Sequence, residues 1–394
     1  MGKKGQTSAL VLSTLAMIVS FSVWSVFPPI AGKMQELFRL SSTEISILIA
    51  TPVLLGSLMR IPMGILTDRY GGRRVFALTL IFLIIPLIAA GLATSYGVML
   101  LCALFIGMAG TTFAISITFV SKWYPPQKQG LILGIAGMGN LGAAVASYTI
   151  PIVLASYGIS WVFWGLALAL GVTTLVLWMG TQDSPGPKAT KTLQESLSVL
   201  RYRTTWYLSL FYFLTFGGFV AFSVYLPTFL KELYNFQAFD AGLKTAGFVV
   251  LATLIRPVGG YLSDQFGAKK VLTVVFTAIF FCALFITFTL ENFTSFTIGC
   301  LAMALALGTG NGAVFKMVPE ISSGNTGAVT GIVGAAGGIG GFFPPIVLGV
   351  VKDQTGSYEA GFLLLVIFSL VCLFIHLKGI KKTKTELRVS ENMH

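Results

Sequence analysis

Arg60 and Arg256 stand inside runs that are otherwise apolar, and each is followed eight residues later by an aspartate, Asp68 and Asp264. The segments around them, MRIPMGILTDRYGGRR and IRPVGGYLSDQFGAKK, align on a shift of 196 residues. The same shift pairs Gly71 with Gly267 and Arg73 and Arg74 with Lys269 and Lys270. An arginine within a hydrocarbon span costs roughly 2.5–3.5 kcal/mol on insertion scales unless it snorkels or faces a wet cavity. Snorkelling gives no reason for two arginines at matched depth in two related segments. No Asp or Glu falls well inside an apolar run; Glu44, Asp240, Glu291, Glu320, Asp353 and Glu359, like Asp68 and Asp264, lie at expected ends or in loops. The missing negative charge is therefore expected from outside the chain. Guanidinium offers paired, coplanar donors, which suits a small planar oxyanion and does not exclude carboxylates or phosphate.

The elements that must hold these arginines are membrane spans. The chain has 394 residues, 55% hydrophobic and 10% charged, with a mean hydropathy of +0.86, far more apolar than a soluble domain. Apolar runs of about 20 residues, each able to cross a ~30 Å hydrocarbon core, fall near 8–31, 44–67, 75–94, 97–121, 131–155, 160–180, 204–230, 241–263, 271–290, 295–318, 326–351 and 359–377. The fold class expected is an all-α membrane protein of twelve transmembrane helices. The first run is too long for a signal-peptide core and is read as the first span. The polar stretch 181–203 divides the chain into bundles at 1–180 and 204–377, with a basic, polar and mobile tail at 378–394.

Net charge is +12, and its placement has a topological meaning. Eighteen lysines and arginines, including Lys188 and Lys191, fall in loops on the side of the termini, against Lys33, Arg39, Lys231 and Lys352 opposite. Both ends are expected to be cytoplasmic in a plasma (inner) membrane. The basic loops are read as topology signals, with no nucleic-acid partner. Cys102, Cys282, Cys300 and Cys372 lie in apolar runs without a CxxC pair, so neither disulfide nor metal site nor cofactor is expected. Internally related halves are a hallmark of carriers that rock about a midplane site. A membrane enzyme would need a nucleophile or acid–base set inside the spans, and a sensor would need an output domain; neither is visible.

Asp68, Arg69, Gly71, Arg73 and Arg74, led by Gly64, resemble the loop signature of the major facilitator superfamily, and Gly260, Asp264, Gly267, Lys269 and Lys270 repeat it. An acid at a helix end beside arginines can form a charge cluster that breaks and reforms, and glycine permits the tight turn. Spans five and eleven carry glycine stripes, GLILGIAGMGNLGAAVASY and GAVTGIVGAAGGIGGFFPP. Gly130 and Gly134, Gly334 and Gly338, and Gly337 and Gly341 have GxxxG spacing, which lets helices approach closely. Their density, with Asn140 in the middle, is read as a sliding surface that includes Gly134, Gly137, Gly139, Gly334, Gly337 and Gly338.

These two stretches, with GTGNGAVFKMVPE (308–320), resemble the nitrate signatures of the nitrate/nitrite porter family within that superfamily. The resemblance implies that Arg60 and Arg256 clasp the anion, that Phe113, Tyr212 and Phe216 sandwich it, and that Asn140 and Asn311 add polar contacts. It implies a carrier of nitrate and nitrite, expected to act as a monomer without a cofactor. Exchange by alternating access is the expected mode, because closing an empty cavity would bring like charges together in a dry interior. Proton-coupled nitrate uptake and carriage of another small anion are the alternatives. The residues that could titrate in the pathway are His376, Tyr212 and Lys316, and Lys316 is expected to snorkel from the end of span ten.

Overall fold

In the computed structural model, which describes residues 3–184, 193–321 and 326–391, twelve helical segments are long and apolar enough to cross a membrane. Spans one to six are Gly5–Phe38, Glu44–Tyr70, Gly72–Gly91, Tyr96–Ser121, Pro126–Tyr157 and Ile159–Gly180. Spans seven to twelve are Arg203–Tyr234, Asp240–Phe266, Ala268–Phe288, Phe293–Glu320, Thr326–Pro344 and Glu359–Lys378. Residues 185–192 of the connecting stretch, with Lys188 and Lys191, lie outside the described residues. Helical backbone runs on from Glu359 to Glu391, past the boundary expected at 377, in a stretch with no proline to stop it.

Local chemistry sets the ends and breaks that matter to the site. Ser41 and Glu44 form a reciprocal capping box at the start of span two, so Glu44 is used as a cap. Gly71 and Gly267 adopt φ of 94° and 85° in the turns that follow Asp68 and Asp264, a conformation strained for residues with a Cβ. Spans two and eight each break one residue before the arginine, between Leu58 and Arg60 and between Leu254 and Arg256. Pro62 and Pro257 supply the reason: proline has no N–H for the carbonyl four residues back and its ring crowds it. Spans four and five tighten into 3₁₀ turns over Gly107–Thr111 and Gly137–Asn140. Backbone irregular at mid-span is tolerated only where protein or a cavity covers it, and here four irregular turns meet around two arginines.

Between the halves, span two packs on span eleven and span five on span eight. The glycines make both seams possible. A methyl on Gly64 would strike the backbone of Gly327, and one on Gly260 would strike that of Gly130. Backbones this close leave no room for side chains.

Candidate anion-binding site

Arg60 and Arg256 are 0% and 1% exposed, so neither snorkels. Arg60 donates from Nε to the Gly110 carbonyl (3.0 Å) in the 3₁₀ turn of span four and from Nη1 to the Gly334 carbonyl of span eleven (2.7 Å). Its Nη2 has no partner. Arg256 donates from Nη2 to the Tyr212 hydroxyl (3.3 Å), and its Nε and Nη1 are unpartnered. All these acceptors are neutral. Among the described residues the four ion pairs are Lys33–Glu36, Lys122–Asp68, Lys316–Asp264 and Lys316–Glu320, none of which involves either arginine.

The two charges share one aromatic ring. The Arg60 and Arg256 guanidinium carbons lie 5.3 and 5.2 Å from the Phe113 centroid. Arg60 is also 5.4 Å from Phe216, and Arg256 is 6.0 Å from Tyr212. Phe113 of the first half faces Tyr212 (6.0 Å, 17°) and Phe216 (6.1 Å, 24°) of the second. Cation–π contacts are worth about 0.5–2 kcal/mol each. They and three hydrogen bonds to neutral oxygens soften the burial of two permanent charges without neutralising either.

The sequence-derived glycines divide by what they face. A methyl on Gly137 would overlap the Arg256 guanidinium, one on Gly337 the rings of Tyr212 and Phe216, and one on Gly334 would press on Arg60 and Phe113. Gly338 faces Ser57 and the end of Arg60, Gly134 faces Arg256 and Pro257, and Gly139 faces Met17 of its own half. Gly338→Leu therefore has nowhere to place its side chain, and overfilling a packed seam costs about 1–3 kcal/mol. We expect near-normal membrane levels of that variant with transport lost; turnover at the parental rate would show that this seam does not have to move. Asn140 and Asn311 are buried with unpartnered Oδ1 atoms. Asn140 closes the 3₁₀ turn whose Gly137 abuts Arg256.

The expected switch loop is brought together differently. Asp68 accepts from the Gly327 N–H at the start of span eleven (2.7 Å) and pairs with Lys122, the residue that follows span four (3.0 Å). Asp264 accepts from the Gly130 and Leu131 N–H groups at the start of span five (3.0 and 2.8 Å) and pairs with Lys316 of span ten (2.8 Å). Each carboxylate thus caps a helix of the opposite half, where the helix dipole favours negative charge. The loop arginines do not supply the counter-charge. Arg73 lies 4.0 Å over Trp178 and donates to its carbonyl, Arg69 lies over Tyr70, and Arg74 is exposed.

Lys316 corrects an expectation, because it is buried. Its side chain is 7% exposed and that of Asp264 5%, and Nζ also donates to the Pro126 carbonyl of the first half. An acid within reach inside the protein removes any need to snorkel. His376 is likewise engaged, its Nε2 lying 2.8 Å from the Lys269 carbonyl and 3.1 Å from Thr273 Oγ1.

Residues 12–251 and 208–392 match the Major Facilitator Superfamily. The chain is 37% identical over 383 residues to the probable nitrate transporter NarT of Staphylococcus epidermidis, covering 97% of this chain and 98% of that protein. It is 38% identical over 361 residues to the nitrite extrusion protein of Bacillus subtilis (90% of each). To the probable nitrate/nitrite transporter NarK2 of Mycobacterium tuberculosis it is 39% identical over 377 residues (93% and 95%). The chain belongs to the nitrate/nitrite porter family of the major facilitator superfamily. This porter shares its fold with the human organic anion transporter MFSD10 (TM-score 0.82, 15% identity, 95% of this chain and 100% of that one). The proton:xylose symporter XylE is a second fold match (TM-score 0.78, 13% identity, 96% of each). The expected fold of twelve spans in two related halves is borne out, and membership of a transporter superfamily agrees with the expectation that the porter is not an enzyme.

Sequence reading did not single out three residues that join these constellations in the porter. Phe315 stands edge-on to Phe113 (5.0 Å) and Tyr212 (4.7 Å), with Arg256 5.7 Å from its centroid. Its signal was its place four residues after Asn311, on the same helix face. Lys122 had the signal that a near-repeat, Lys316, ends the matching span of the other half. Gly110 had none, since its carbonyl is recruited by an arginine 50 residues away.

Proposed function

We propose that this chain carries nitrate and nitrite across a plasma membrane by alternating access, exchanging one for the other, as a monomer with both termini in the cytoplasm. The names of its relatives, a probable nitrate transporter, a nitrite extrusion protein and a probable nitrate/nitrite transporter, support the substrate. One observation carries the mechanism: two fully buried guanidinium groups, with three N–H-bearing nitrogens unpartnered, flank one aromatic ring and pair with no carboxylate among the described residues. A bound oxyanion supplies the absent charge and accepts from those donors.

The rings connect binding to movement. A flat ion between two ring faces needs two contacts of roughly 3.5 Å each, about 7 Å in all, whereas the Phe113 and Tyr212 centroids are 6.0 Å apart. Admission of the ion therefore spreads spans four and seven, which belong to different halves, and Tyr212 leans on Gly337 of span eleven. Arg60, bonded to span eleven through Gly334, carries the same displacement across the seam. An empty site closes two like charges into a dry interior and a loaded one does not, so the loaded form reorients faster.

Coupling to a proton is the second reading, and the buried Asp264–Lys316 pair at the seam is what favours it, because such a pair can exchange a proton when the seam opens. In proteoliposomes, exchange predicts that external nitrate enters only when nitrite or nitrate is inside. Uptake driven by a pH gradient into anion-free vesicles would decide for the proton. Competition by unlabelled nitrite, formate and phosphate in the same assay tests the substrate; preference for phosphate or formate would overturn nitrate.

A further inference from the structure

Buried hydroxyls on helices normally donate to the carbonyl one turn back, and most in this protein do. Ser20 reaches Ala16 (2.8 Å), Thr79 reaches Val75 (2.8 Å), Thr174 reaches Leu170 (2.7 Å) and Ser263 reaches Gly259 (2.8 Å). Ser116, Thr118, Ser209, Thr215, Thr253 and Thr330 are buried without a partner. These six fall on spans four, seven, eight and eleven, the four that supply Phe113, Tyr212, Phe216, Arg256 and Gly334 to the site.

Three of the six share a register. Ser116 follows Phe113 by three residues, Ser209 precedes Tyr212 by three, and Thr330 precedes Gly334 by four. Residues three or four apart lie on one helix face, so each hydroxyl sits on the face that lines the site. Span four runs opposite to spans seven and eleven, so all three steps lead the same way, toward the end that holds Asp68 and Asp264. These steps of three and four residues, at about 1.5 Å each, set the three hydroxyls as one layer roughly a helical turn, about 4.5–6 Å, along their spans from Phe113, Tyr212 and Gly334. Thr330 also lies three residues after Gly327, the residue latched to Asp68. The layer therefore lies between the arginine pair and the latches, and Ser116, Ser209 and Thr330 are 0%, 6% and 0% exposed.

We infer that Ser116, Ser209 and Thr330 form a transit station for the small oxyanion between the arginine pair and the latched end of the carrier. This rests on the arginine site as the resting place of the anion. Neutral hydroxyls donate to an oxyanion without holding it as a cation does, so the station passes the ion on once the Asp68 and Asp264 latches part. The residues come from both halves, span four in the first and spans seven and eleven in the second, so the layer is complete only while the halves are together.

The test compares equilibrium nitrate exchange in proteoliposomes with nitrate binding to the purified protein. Ser116→Ala/Ser209→Ala/Thr330→Val is expected to bind nitrate within twofold of the parent and to exchange it at least tenfold more slowly. Two single variants separate chemistry from packing: Thr330→Ser keeps the hydroxyl and is expected to exchange at the parental rate, while Thr330→Val keeps the shape and is expected to be several-fold slower. Parental exchange by the triple variant, or a slow Thr330→Ser beside a normal Thr330→Val, would overturn the station. So would a nitrate affinity that weakens in step with the rate, since the hydroxyls would then belong to the resting site. A parent whose nitrate affinity is indifferent to Arg60→Lys and Arg256→Lys would remove the arginine site, and the station with it.

Discussion

Arg60→Lys lowers nitrate transport at low substrate by about a hundredfold, with the protein still inserted at normal levels. The substitution keeps the charge and the aliphatic stem but loses the planar fork. Arg60 spends Nε on Gly110 and Nη1 on Gly334, which leaves Nη2 for the anion. A lysine ammonium cannot satisfy two fixed carbonyls on different spans and still direct a donor to a ligand between the rings. Hydrogen bonds to charged groups contribute about 1.5–3 kcal/mol each, and 1.4 kcal/mol is a factor of ten. Arg256→Lys loses two free donors as well as the Tyr212 contact, so its loss is at least as large. Labelled nitrate uptake at several concentrations checks both; unchanged affinity in either variant would show that point charge alone suffices.

Asp264→Asn opens the latched end of the carrier. The carboxylate holds the Gly130 and Leu131 N–H groups near the start of span five and a lysine about as buried as itself. Removing one partner of a buried ion pair costs up to about 3–5 kcal/mol because the other charge is left behind; here the half-exposed Glu320, 3.5 Å from Lys316, offsets part of that cost, and more is relieved if the seam parts and water reaches Lys316. Asp68→Asn has a smaller effect, since Lys122 is 33% exposed and is already partly solvated. Spin labels at the exposed Tyr70 and Phe266, at the ends of spans two and eight, read the change by electron–electron distance. The expected result is a longer and broader distribution in Asp264→Asn than in the parent. An unaltered distribution would mean that the latch does not set the balance between states.

Much of this was legible in the chain because membrane insertion leaves strong marks. Apolar runs must match the bilayer thickness, so all twelve spans could be counted, and two buried charges repeated 196 residues apart announced a shared site. Pro62 and Pro257 were in view as well, and they explain why the helices break beside Arg60 and Arg256. The pairings across the halves were not legible. Asp68 meets Gly327 at a separation of 259 residues, and Asp264 meets Leu131 at 133; no local pattern encodes such contacts. Lys316 was misread for the same reason, since a lysine near a helix end looks free until the acid of another span is placed against it. Gly137 shows the limit from the other side. Its smallness reads as helix packing, whereas the space it leaves is filled by Arg256.

The central claim is that two buried guanidinium groups without a carboxylate partner await a flat anion. Calorimetric titration of nitrate into the purified Arg60→Met/Arg256→Met variant tests it most directly, because both charges are removed while much of the apolar stem volume stays. One site per chain in the parent and no detectable binding in the variant is the predicted result. Nitrate binding to the variant with parental affinity would contradict it.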